Sequence, residues 1–272
     1  MSTRQTTRNF DTAIMLDTVG IKGSVAQRLN AVRTAGFDGV EVASHMDVDE
    51  VLHAAEAAGL AIPSVCCATH WSKPVSDPDP AVRAEGLKGL KQALRDAARY
   101  GAKSALFIPG IVTKAVSYAA AWDRSQAAIR KALPLAEALR VRIAIENVWN
   151  HFLLSPLEAA RYVDEFDSPW VGWHFDVGNI LNYGWPEQWI RILGKRIVQV
   201  HLKEYSRQIR DQRGPGAGFN VPFLEGDNDW PAVMQALDAI QYRGWVITEQ
   251  GGANSPQALQ DQVRRVRRML TM

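Results

Sequence analysis

Cysteine is nearly absent from this chain: Cys66 and Cys67 are the only two in 272 residues, and they are adjacent, so no disulfide framework can hold the fold. Long apolar runs are also missing, and nothing approaches the ~20 residues that would cross a bilayer. Charge of one sign is missing too. Thirty-one basic residues against 29 acidic leave a formal net charge of +2, which gives no electrostatic reason to expect nucleic acid or an anionic membrane as partner. The opening MSTRQTTRNF has no apolar core of a secretory signal, so a cytoplasmic location is expected. Neither GxGxxG nor GxxxxGK[ST] occurs, which argues against a doubly wound nucleotide-binding sheet and leans towards an unphosphorylated substrate. No Gly/Ser linker, charge block or low-complexity tract divides the chain, so one domain over 1–272 is expected.

What is present is an alternation. Strand-like apolar runs occur at 12–19, 39–44, 61–69, 103–109, 141–147, 170–177, 196–203 and 244–250. Helical segments follow them. One opens at Ser24 with Gln27 three residues on, and one at Asp47 with Glu50 as reciprocal cap and Gly59 as stop. Others run from about Pro80 to Tyr100 and from about Val116 to Leu139, and one starts at Ser155-Pro156-Leu157-Glu158. The last three lie near 186–194, 230–240 and 256–270. Eight strand–helix units with apolar, β-branched strands predict parallel strands covered by helices, and at this length an α/β fold of the (β/α)8 TIM-barrel type.

In such a barrel the chemistry sits where strands run into the following loops. The fifth strand ends in IAIENVWN, with Glu146, Asn147 and Trp149; the sixth ends at Asp176 and Asn179. The seventh carries His201, Lys203, Glu204 and Arg207, the eighth Glu249, the second Glu41, and His70 and Trp71 follow the third. A lone strand-end glutamate is usually a loop salt bridge. Four ionisable groups at matching positions on four consecutive strands would repel one another, and a divalent cation relieves that. Glu146, Asp176, His201 and Glu249 form an O₃N set suited to one Mn²⁺, Mg²⁺ or Co²⁺ ion. His174 reads as a satisfied core residue between helix and sheet; His45, His53 and His151 read as loop or helix-face residues.

The segments IENVWN, FDVGN, VHLKEYSR and the terminal TEQ together resemble the sugar isomerase and epimerase branch of the xylose-isomerase-like TIM barrels. That branch includes ketose 3-epimerases, hydroxypyruvate isomerase and inosose dehydratase, with endonuclease IV a more distant relative. The resemblance implies that Glu146, Asp176, His201 and Glu249 hold one metal, and that Arg207, six residues past the histidine, contacts substrate. Two positions depart from the family pattern. Asn179 stands where ketose 3-epimerases have a histidine, and Phe152 where they have a second glutamate.

These assignments imply a mechanism. Glu146 and Glu249 would face each other across an α-hydroxy carbonyl, one removing the proton beside the carbonyl and the other delivering it, with the metal stabilising the enediolate. The second nitrogen of His201 should be fixed by a hydrogen-bond acceptor. Lys203 would bond a substrate oxygen or pair with a liganding carboxylate, while Glu204, on the other strand face, reads as structural. Arg207 would bind a substrate hydroxyl or carboxylate or remain a solvated loop residue. Trp71 and Trp149 could cover the C–H face of a sugar. His70, Glu41 and Asn179 complete the candidate substrate contacts. The long connection after the seventh strand reads as a lid, or as a surface between subunits of a homo-oligomer. A dehydratase or lyase acting on a keto-sugar or keto-inositol shares the first step. A non-catalytic sugar-binding barrel would need neither the metal nor the opposed glutamates.

Overall fold

The computed structural model describes Arg8 and residues 10–272, so the polar opening read for a secretory signal falls largely outside the described residues. Eight strands pair in chain order, all parallel, and β1 closes on β8: β1 Asp11–Met15, β2 Gly39–Ala43, β3 Ser64–Cys66, β4 Ser104–Phe107, β5 Arg142–Glu146, β6 Val171–Asp176, β7 Ile197–Leu202 and β8 Trp245–Thr248. The helices are α1 Val25–Ala35, α2 Val48–Ala58, α3 Pro80–Tyr100, α4 Tyr118–Leu139, α5 Pro156–Asp164, α6 Val177–Leu181, α7 Pro186–Leu193, α8 Arg207–Arg213, α9 Trp230–Ala239 and α10 Pro256–Leu270. Among the described residues no helix is long and apolar enough to cross a membrane.

Local chemistry accounts for the element ends. Ser24 and Gln27 cap each other across the first turn of α1. Asp47 accepts from the backbone of Asp49 and Glu50, and Gly59 ends α2 at φ 66. Ser155 accepts from Glu158 N, whereas the Glu158 carboxylate reaches one residue further back than a capping box requires, to Leu154 N. Two segments differ from the sequence reading. Asp176 ends β6 and at once caps α6, a helix too short to leave a periodic signal. The connection after β7 is not an open loop: it contains α8 and a 3₁₀ turn over Pro215–Phe219.

Strand pairing decides which side chains enter the barrel. In a parallel ladder opposed residues project to one side, and the side alternates along each strand. Glu146 opposes His174, Asp176 opposes His201, and His201 opposes Ile247, two residues before Glu249. The register is irregular between β6 and β7. Trp173 pairs with Ile197 but His174 pairs with Gln199, which leaves Val198 as one residue of excess. Gly172 makes room for it, since a Cβ there would fall 2.5 Å from Val198 Cγ1. The apolar outward faces of the strands meet the helices, with Phe107, Ile145, Trp173 and Val246 fully buried.

Candidate active site

Four side chains converge at the C-terminal end of the barrel. Glu146 is the last residue of β5 and Asp176 the last of β6; His201 lies within β7, and Glu249 follows β8, where its N–H donates to Leu202 O at 3.1 Å. One donor atom from each lies within 4.8 Å of all the others. His201 Nδ1 stands 3.2 Å from Glu249 Oε2, 3.5 Å from Glu146 Oε1 and 4.0 Å from Asp176 Oδ2. On the other side of the ring, His201 Nε2 is 2.8 Å from Glu41 Oε2.

The aspartate divides its two oxygens. Oδ1 accepts from Asn179 N at 2.7 Å as the cap of α6, so Oδ2 is left facing the cluster. Two asparagines hold β5 against β6 around it. Asn147 Nδ2 donates to Asp176 O, Asn147 Oδ1 accepts from Asp176 N and Trp173 Nε1, and Asn179 Nδ2 donates to Asn147 O. Asn179 therefore stitches the strand ends and also offers Oδ1 to Lys203 Nζ at 3.4 Å.

Burial sets the electrostatics. Glu146 is pushed up to about 7, first by burial and then by Glu249, against the pull of His201. Burial would raise Glu249 as well, but Lys203 and His201 override it and hold that carboxyl well below its usual range. Burial raises Asp176 more than Lys203 lowers it. For His201, burial opposes the charged form, yet Glu41, Glu146 and Glu249 together raise it well above an ordinary imidazole. Even so, His201 Nδ1 is buried with no partner in hydrogen-bond geometry, and Asp176 Oδ2 and Glu249 Oε2 meet only the Lys203 ammonium, as ion pairs. Donor atoms on one small divalent ion, at bonds of about 2.0–2.2 Å, stand no more than about 4.4 Å apart. A contraction of a few tenths of an ångström would bring this set to that spacing, so its donor chemistry, its spacing and the unpartnered His201 Nδ1 fit a cation.

The other expected residues divide into two groups. Into the mouth of the site point His70 and Trp71, which line a cavity of about 240 Å³ together with Glu146, His201 and Glu249. Burial pushes His70 down to about 4, and its Nδ1 accepts from Ile108 N at 3.4 Å, which leaves Nε2–H as a donor. His45, read as a loop residue, also lines this cavity.

The remaining residues lie away from the cavity lining. Glu41 is wholly buried behind His201 rather than on the cavity wall. Lys203 pairs with Asp176 Oδ2 at 3.0 Å and with Glu249, the carboxylate-pairing alternative. The Arg207 guanidinium donates to Leu181 O and Gly184 O and lies over the Trp185 ring, so backbone carbonyls occupy it. Trp149 stacks on Phe219 at 5.1 Å and donates to Asn179 O, fixing the 3₁₀ turn beside the site. Glu204 is buried and accepts from Tyr205 N, Leu224 N, Asn228 and Trp230 Nε1, which pins both ends of that connection. Phe152 sits in an aromatic cluster with Tyr118, Trp122 and Tyr162, with no carboxylate at that position.

His174 is the residue the sequence reading misplaced. It points into the barrel, with its ring 4.0 Å from that of His201 and both nitrogens unpartnered. Its place two residues before Asp176, on the same face of β6, is the signal that would have placed it.

Comparison with known proteins agrees with this geometry. L-ribulose-5-phosphate 3-epimerase UlaE of Escherichia coli O1:K1 / APEC is 27% identical over 241 residues, covering 82% of this chain and 81% of its own. Among solved structures, D-psicose 3-epimerase superposes with a TM-score of 0.77 at 20% identity, covering 97% of this chain and 100% of that one. The 3-keto-D-glucoside 4-epimerase YcjR from E. coli gives the same TM-score and identity over 96% of this chain and 100% of its own. The family model described as xylose isomerase-like TIM barrel matches residues 29–269, and the chain belongs to that family.

Proposed function

We propose that this protein is a divalent-metal-dependent sugar epimerase or isomerase, with Glu146 and Glu249 as its proton-transferring pair. The observation that carries this reading is the convergence of three carboxylates and one imidazole, within 4.8 Å of one another, at the mouth of the barrel. The relatives and solved structures named above support it, as all are called epimerases. Glu146, Asp176, His201 and Glu249 would hold the ion, and Mn²⁺, Mg²⁺ and Co²⁺ suit their donor chemistry. Bound there, the ion would act as a Lewis acid for the negative charge that develops on substrate oxygens.

The residues themselves do the rest. Glu146 and Glu249 approach His201 Nδ1 from β5 and β8, so a carbon held between them meets a carboxyl group on each side. In the metal-free chain their environments drive them apart: burial favours the protonated Glu146, and Lys203 keeps Glu249 ionised. The neutral His70 presents Nε2–H to a substrate oxygen, and Trp71 shields the opening.

Among the described residues no lysine or arginine lines the cavity, and Lys203 is neutralised by its carboxylates. That favours an uncharged ketose or keto-sugar over the phosphorylated substrate named for the UlaE relatives.

The test is solvent exchange. Ketoses, their phosphates and keto-inositols are incubated with the metal-loaded enzyme in D₂O, and the products are identified by NMR. Deuterium on the carbon beside the carbonyl of an epimer or isomer is expected. A dehydrated product would make the protein a lyase, and no exchange with any carbonyl sugar would leave a binding barrel.

A further inference from the structure

We infer that Glu41 is a positioning residue: it sets which nitrogen of His201 faces the donor cluster, and so how tightly that cluster holds a cation. The inference rests on the metal-site reading above. Glu41 belongs to β2, on a different wall of the barrel from the four donors, and is separated from His201 by 160 residues. Its carboxylate is fully buried. Oε2 meets His201 Nε2 at 2.8 Å, and Oε1 has no partner. A wholly buried carboxylate with one neighbour is costly to the fold, and nothing else in the packing uses it.

The arrangement of the imidazole shows what it does. Three carboxylates gather on Nδ1 at 3.2 to 4.0 Å, and the fourth takes Nε2 from the opposite side. With Nε2–H donated to Glu41, the lone pair of the neutral ring lies on Nδ1, pointing at Glu146, Asp176 and Glu249. His174 packs its ring edge-on to that of His201 at 4.0 Å and helps hold its orientation. Glu41, His174 and His201 also lie close enough to form a ligand set of their own. Their three donors are sealed from solvent, and Nε2 is already hydrogen-bonded, so positioning accounts for them better than a second ion does.

Manganese affinity and stoichiometry, measured by calorimetry on the full chain, test this directly, with thermal unfolding in chelator as the control for folding. Glu41→Ala should weaken binding ~10–100-fold. Glu41→Gln keeps an oxygen acceptor for Nε2–H and should recover most of the loss. It also keeps the test open if Glu41→Ala fails to fold, because Glu41→Leu, of similar bulk but with no acceptor, should then show the weakening. Wild-type affinity in Glu41→Leu would overturn the inference. So would a second equivalent of manganese bound by the wild type and lost in Glu41→Gln, since Glu41 would then be a ligand itself. If the wild type binds no metal, the proposed function falls first; if it binds and the variants bind equally, only this inference falls.

Discussion

Lys203 Nζ stands 2.5 Å from Glu249 Oε2, so the base of the proposed proton pair carries its own counter-ion. The same ammonium reaches Asp176 Oδ2 at 3.0 Å, on a carboxylate with no solvent exposure. Removing it leaves two carboxylates facing each other. Lys203→Met, measured by urea unfolding in chelator, should lose about 3 kcal/mol, the lower end for breaking a buried pair because Glu249 keeps some contact with water. Added Mn²⁺ should recover part of the loss. Equal stability in chelator would show that the pair contributes nothing.

Protons and metal compete for this site, and the sign can be worked out. Glu146 titrates near 7 in the fold against 4.5 ordinarily, and His201 is raised as well, so both hold protons that an ion must displace. Manganese affinity should therefore rise from pH 6 to pH 8, with proton release measurable in buffers of different ionisation enthalpy. In chelator the trend reverses. Groups whose folded pKa is raised stabilise the fold below their unfolded pKa and lose that contribution as pH climbs through the folded value, so stability should fall between about pH 4.5 and 7. A flat affinity profile would remove Glu146 and His201 from the ligand set.

Glu146→Gln and Glu249→Gln each delete one proton carrier and leave the cavity shape nearly unchanged. At saturating Mn²⁺ each should lose ~10²–10⁴ in kcat with a small change in KM. A variant turning over at the wild-type rate would exclude that glutamate from the proton path.

Arg207 bridges two backbone carbonyls between α6 and α7. Arg207→Ala should lower the hydrogen-exchange protection of residues 181–185 by ~1–3 kcal/mol of opening free energy. A raised KM with unchanged exchange would instead restore the substrate contact that the family resemblance implies.

The local grammar of the chain was readable because it is local. Ser24 with Gln27, Asp47, and Ser155 before Pro156 mark helix starts within four residues, and the structure uses them. The strand ends bearing Glu146, Asp176, His201 and Glu249 were readable for the same reason. What stayed hidden depends on distance or on backbone contacts. Glu41 meets His201 across 160 residues and the width of the barrel, which no spacing encodes. The inward turn of His174, by contrast, was there to read, since it lies two residues before Asp176 on β6 and so shares its face. Arg207 looked free because a side chain's hydrogen bonds to carbonyls leave no mark on residue type.

The surplus Val198 has a consequence beyond local shape. Side-chain direction in a strand has a period of two, so one additional residue reverses every later position. Left out of the pairing, it lets Asp176 lie opposite His201; paired in a regular ladder, it would set Asp176 opposite Val200 and turn the imidazole outward to the helices. Any substitution at His201 takes one donor from the proposed metal site. Pairing Val198 into the ladder would thus invert the polarity of the rest of β7, whereas deleting it would keep His174 opposite Gln199 and the imidazole turned inward.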